Sequence, residues 1–150
     1  MIQKTIIANS GNGGQGKSET AILLYNELIT THGSTINRTL YTPILPPNQD
    51  VSVILNLNNS LVGIEGQGDP NSRMFRTLNQ LAQNNCDVIF CNARTRGATI
   101  REINRIARGF QYRLIWVTND RSDHIANTIL NQRSANRFAH LVLDVLSGVV

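Results

Sequence analysis

Hydrophobic and polar positions follow two rhythms along this chain, and each change of rhythm marks a change of element. Ile6, Ile7 and Ala8 form a short apolar run of the buried-strand kind, inside a strand expected over 3–9. Ala21, Leu24 and Leu28, joined by Ile22 and Tyr25, then recur at helical spacing. They predict a helix over 17–31 that stops near His32-Gly33, with glycine at the usual terminating position. Residues 37–42 suit a short edge strand. The stretch 42–48 contains Pro43, Pro46 and Pro47, which lack the donor a ladder needs, so a long loop is expected there. Val51, Val53, Leu55 and Leu57 alternate with Ser52, Ile54 and Asn56. Asn58-Asn59 and then Leu61-Val62-Gly63-Ile64 follow, the pattern of a β-hairpin with an asparagine turn.

The second half alternates helix and strand. A helix is expected to start near Asn71 or Ser72, with Phe75, Leu78, Leu81 and Ala82 inward. Residues 87–92 form a fully apolar strand of the parallel, buried kind. A helix with Ile100, Ile103, Ile106 and Ala107 inward comes next, then a last strand over 112–117. Ser122 or Asp123 is expected to cap a final helix reaching about Ser147, with Ile125, Ile129, Leu141, Val142 and Val145 as its core face. Its polar middle, 131–136, is expected to kink or break. This succession predicts an α/β fold with a mostly parallel sheet and one β-hairpin.

Composition narrows the class. At 150 residues the chain reads as one domain over 1–150, with 41% hydrophobic and 16% charged residues. No apolar run approaches the roughly 20 residues of a membrane span. No basic-then-apolar segment opens it, so a cytoplasmic location is expected. Cys86 and Cys91 suit neither a metal set nor a strand-internal disulfide and read as buried thiols. His32, His124 and His140 are scattered. A net charge of +4 permits an anionic partner without requiring one. Arg101, Arg105 and Arg108 share one helix face, first read as its wet side. A nucleic-acid patch is the minority reading.

The candidate chemistry begins at Gly11-Asn12-Gly13-Gly14-Gln15-Gly16-Lys17-Ser18, which is G-x-x-x-x-G-K-[ST] directly after a strand and opening a helix. Glycines at this spacing let backbone N–H groups turn toward an anionic phosphate, and the helix adds its unpaired amides and positive dipole end. Lys17 would reach β- and γ-phosphates, Ser18 would offer a hydroxyl to Mg²⁺, and Glu19 follows in the first turn. Lys17 is one of only two lysines, the other being Lys4. Ligands of open α/β sheets sit beyond the carboxyl ends of the strands. That rule selects Glu65, Gln67 and Asp69, then Asn92, Arg94, Thr95 and Arg96, then Thr118, Asn119 and Asp120. Asp69 is the first choice for a catalytic acid near the metal, or else a helix-entry cap, with Glu65 as the alternative acid. Gln67 could orient a water. Arg94 and Arg96 are candidates for stabilising a transferring phosphoryl group, or for gripping a phosphorylated substrate.

The loop resembles the Walker A element of the P-loop NTPases. Over Ile7 to Leu28 it is similar to the plasmid-partition and septum-site ATPases, whose signature loop lysine is Asn12 here. Asp69-Pro70 resembles that family's Asp-Pro element. Residues 87–92 resemble its Walker B strand, with Asn92 where an aspartate is expected. The hairpin before Gly66-Gln67-Gly68-Asp69 is also similar to that of small GTPases, though the guanine-reading motif is missing near Val117-Thr118-Asn119-Asp120. The resemblance implies a three-layer α/β/α P-loop NTPase-like fold binding ATP, GTP being less expected, with Mg²⁺. It implies a Mg²⁺-dependent ATPase or small kinase-like phosphotransferase. The alternative is a nucleotide-dependent switch or partition-like regulator with weak turnover, acting on a small-molecule or protein partner. A homodimer is one assembly it implies.

Overall fold

The described residues build a six-stranded sheet and four helices. The structure is a computed structural model, and it describes residues 2–13, 16–41 and 50–150. The elements in order are β1 (Thr5–Ser10), α1 (Lys17–Thr30), β2 (Thr35–Tyr41), β3 (Ser52–Leu57) and β4 (Ser60–Glu65). α2 (Met74–Gln83), β5 (Val88–Ala93), α3 (Ala98–Phe110), β6 (Arg113–Val117) and α4 (Asn127–Leu146) follow. The strands lie in the order β2-β3-β4-β5-β1-β6. β4, β5, β1 and β6 run parallel, while β3 is antiparallel to both its neighbours. The expected proline-bearing loop falls outside the described residues.

Side chains alternate across the sheet and so divide the apolar interior in two. Ile7, Leu55, Ile64 and Phe90 point to one face, where α1 and α4 cover them with Leu24, Leu28 and Phe138. Ile6, Ala8, Ile89 and Cys91 point to the other, covered by Leu78, Leu81, Ile103 and Ile106 of α2 and α3. β1 and β5 are buried on both faces, which explains their unbroken apolar runs.

The asparagine turn forms as expected. Asn58 and Asn59 both take positive φ, 51° and 66°, the backbone a two-residue hairpin requires. Gly33 has φ 75° just beyond α1. Two helix starts differ from the sequence expectation. α2 begins at Met74, because Asn71 is left-handed at φ 63° and the Ser72 hydroxyl accepts the Met74 amide. α4 begins at Asn127 and has no side-chain cap. Ser122 instead accepts the His124 amide and closes a local turn.

α4 is also unbroken, and its inward face matches the expected one at Val142 and Val145 but not in its first half. Ile125 and Ile129 are exposed, whereas Leu130, Asn131, Ser134, Ala135 and Phe138 are buried. The polar middle is not a break: the Ser134 hydroxyl accepts the Asp120 amide, and Asn131 packs beside the end of the glycine loop. Both cysteines are free and buried, with their thiols pushed up to about 12 chiefly by burial. Arg101, Arg105 and Arg108 lie on the exposed side of α3, where Arg105 pairs with Glu102. No helix among the described residues is long and apolar enough to cross a membrane.

Candidate nucleotide site

β1 ends between β5 and β6, so its carboxyl end delivers the glycine loop to the middle of the sheet edge. The Gly11 amide bonds to the Ala93 carbonyl at 3.0 Å and fixes the loop's first step. Gly16 starts α1 in the left-handed conformation, φ 76°. That backbone favours glycine, and a Cβ there would lie 2.6 Å from the Asn131 amide nitrogen, so a larger residue would also have to displace that side chain. Gly14 and Gln15 lie outside the described residues.

Lys17 is buried and folds back over the loop. Its Nζ donates to the carbonyls of Gly11 and Asn12, each at 2.8 Å. Burial lowers its pKa from the usual lysine range, the Arg94 cation lowers it further, and Asp69 opposes both. A buried ammonium aimed at the mouth of a glycine loop is a ready partner for an anion. Ser18 Oγ faces the Gly66 carbonyl at 3.4 Å. Glu19 is exposed and accepts from Asn131 Nδ2 at 3.2 Å.

Opposite the loop, the segment after β4 forms the second wall of a cleft of about 390 Å³. Lys17, Ser18, Asp50, Gly66, Asp69 and Asn92 are among its lining residues. This wall sits close to β5: a Cβ on Gly68 would lie 2.6 Å from the Asn92 carbonyl carbon. Asn92 Nδ2 donates to the Gly66 carbonyl at 2.7 Å. A wider groove of about 610 Å³ runs along α4 past Asp120, Arg137 and His140, and it holds none of the loop residues.

The structure separates the sequence's candidate residues into groups. Asp69 stands at the cleft, and its carboxylate accepts from Arg94 Nε at 2.8 Å rather than capping α2. The Arg94 guanidinium also lies against Gly13, where an added Cβ would meet it at 2.9 Å. One side chain therefore spans the loop and the opposite wall. Arg96 is exposed and makes no hydrogen bond or ion pair among the described residues.

Glu65 is removed from the list of candidate acids. It is fully buried, and both its oxygens are occupied. Ser52 and Thr77 hydroxyls and Arg73 Nε donate to Oε1, while the Gln67 amide and Arg73 Nη2 donate to Oε2. Gln67 is likewise committed. Its Nε2 donates to Asp50 at 2.8 Å and its Oε1 accepts the Arg73 amide at 3.1 Å, so both ends of the amide are fixed by the protein. Asn119 Nδ2 donates to Thr20 Oγ1 and Asn131 Oδ1, and Asp120 pairs with Arg137.

Two residues escaped the sequence reading. Asn131 was read only as part of a polar helix middle, and Asp50 lies at the start of a strand, where the strand-end rule does not look. Among the described residues no three His, Cys, Asp or Glu side chains gather as a metal cage. Mg²⁺ bound with a nucleotide does not need one, because one or two carboxylates and the phosphate oxygens complete its shell. The buried oxygens Asp50 Oδ1 and Asn92 Oδ1, both on cleft residues, have no hydrogen-bond partner among the described residues. Oxygen donors left open in this way fit a hard cation. No protein-family model matches the chain, and neither a curated protein nor a solved structure matches it.

Proposed function

We propose that the chain is a P-loop protein of the three-layer α/β/α type that binds ATP together with Mg²⁺. The observation that carries this reading is the joint geometry of Gly16, Lys17 and Ser18. A left-handed glycine opens α1, a buried ammonium lies over the loop, and a hydroxyl faces the cleft beside Asp69. In the bound state Lys17 exchanges its two carbonyl partners for phosphate oxygens. Ser18 and a carboxylate of the opposite wall would hold the metal, which would neutralise charge on the phosphates. Arg94 turns from Asp69 toward the same charge. ATP is preferred to GTP because the Asn119 amide and the Asp120 carboxylate, which a guanine reader would use, are engaged within the protein.

The first reading is a Mg²⁺-dependent ATPase or small phosphotransferase, with Arg94 on the transferring group. The switch reading draws on a specific observation: Glu65 is fully buried with both oxygens occupied, so it is not available to activate water. Phosphate release decides between them. A sharp rise with a small-molecule acceptor supports the transferase, and tight binding with negligible turnover supports the switch. For binding itself, Lys17→Ala should weaken ATP by roughly 10- to 100-fold, the scale of a hydrogen bond to a charged group. Unchanged affinity in a calorimetric titration would refute the reading.

A further inference from the structure

We infer that Asp50 is the carboxylate that receives the divalent cation at this site, an inference that rests on the nucleotide-binding reading above. Asp50 directly precedes β3 and lines the cleft with Ser18, Gly66 and Asn92. One of its oxygens is anchored: Oδ2 accepts from Gln67 Nε2 at 2.8 Å and lies 3.9 Å from Arg73 Nη1. The other, Oδ1, is buried and has no hydrogen-bond partner among the described residues. A carboxylate fixed by one oxygen presents the other in a set direction at little further entropic cost.

That open oxygen does not stand alone. It is 3.2 Å from where a Cβ on Gly66 would sit. The Gly66 carbonyl in turn faces Ser18 Oγ at 3.4 Å and Asn92 Nδ2 at 2.7 Å. Asn92 is only 1% exposed, and its Oδ1 is also without a partner. Three oxygen-bearing side chains from α1, β5 and the start of β3 thus meet at one glycine, Ser18 and Asn92 at its carbonyl and Asp50 beside its α-carbon. Two of the three carry unsatisfied oxygens, which are costly to bury unless something pairs with them. The set suits a hard divalent ion, held directly or through its water. Asp69, by contrast, is 64% exposed and has its arginine closer, Arg94 Nε at 2.8 Å against 3.9 Å from Arg73 to Asp50. Gln67 acts as the positioning residue that aims Asp50.

The test compares binding of a non-hydrolysable ATP analogue with and without Mg²⁺, by calorimetry. Asp50→Asn retains an oxygen for Gln67 Nε2, and a thermal melt checks that it folds. The variant should lose about tenfold or more of the affinity that Mg²⁺ adds, the scale of one charge-assisted contact, with metal-free affinity equal to or above the wild type's because a like charge is gone. A variant that keeps the full Mg²⁺ gain overturns the inference and leaves nucleotide binding standing. A wild-type protein that binds no nucleotide overturns both. A second measurement needs no variant: Fe²⁺ replacing Mg²⁺ in the wild-type complex, with ascorbate and peroxide, should cut the backbone beside residues 50 and 66. Cuts confined to the neighbourhood of residues 18 and 69 overturn the assignment.

Discussion

Lys17 carries the most consequence of any single residue. Its folded pKa is lowered, so between that value and the free-lysine range the unfolded chain binds more protons than the folded one. Across that window the protein gains stability as pH rises. A bound polyphosphate acts in the opposite sense, raising the Lys17 pKa again, so binding takes up protons at alkaline pH. ATP affinity should therefore fall as pH climbs through the free-protein Lys17 pKa, and Lys17→Arg, which stays charged, should flatten the decline in the same titration. The cysteines behave in the opposite way to reactive thiols. Burial holds Cys86 and Cys91 at about 12, so a thiol reagent at pH 8 should leave both unmodified until denaturant is added. The sequence exposed the loop at this scale because glycine, lysine and serine occupy fixed spacings. It hid the fates of Glu65 and Gln67. Their partners, Ser52, Thr77, Arg73 and Asp50, are joined to them only by folding.

At the scale of elements, the stretch from β4 into α2 is held by a buried ion pair. Arg73 stands beside the start of α2, donates to Glu65 through two nitrogens, and lies over the Tyr41 ring at 4.2 Å. Replacing Arg73 with Met strands the Glu65 charge in the interior. The expected cost is about 3–5 kcal/mol, seen as a fall in Tm of about 10 °C or more. Strands and helices were legible because apolar residues repeat at the period of each. The first half of α4 is illegible in the pattern for a physical reason. Asn131 and Ser134 are buried as partners of the loop and of the Asp120 amide, and no pattern of apolar residues reports a polar side chain that is buried to bond. Asp50 was missed for a different reason. A parallel strand brings its last residue to the ligand edge, but β3 runs the other way and brings its approach segment there.

For the molecule as a whole, the cleft joins the two apolar interiors. Lys17 and Ser18 belong to the helix over one face, and the wall with Asp69 leads into the helix over the other. A ligand touching both should stabilise the fold as a unit. Saturation to 100 times Kd contributes about 2.7 kcal/mol, or about 5–10 °C in a melting experiment for a chain of this size. No such shift is expected for a nucleoside without phosphates. The clasp of Arg94 between Gly13 and Asp69 differs from the buried Lys17 in being open to solvent, with Arg94 41% and Asp69 64% exposed. Ordinary salt screens such a pair and leaves buried charges nearly untouched. Ionic strength thus acts on the two cations separately, loosening Arg94 while Lys17 keeps its hold on the loop.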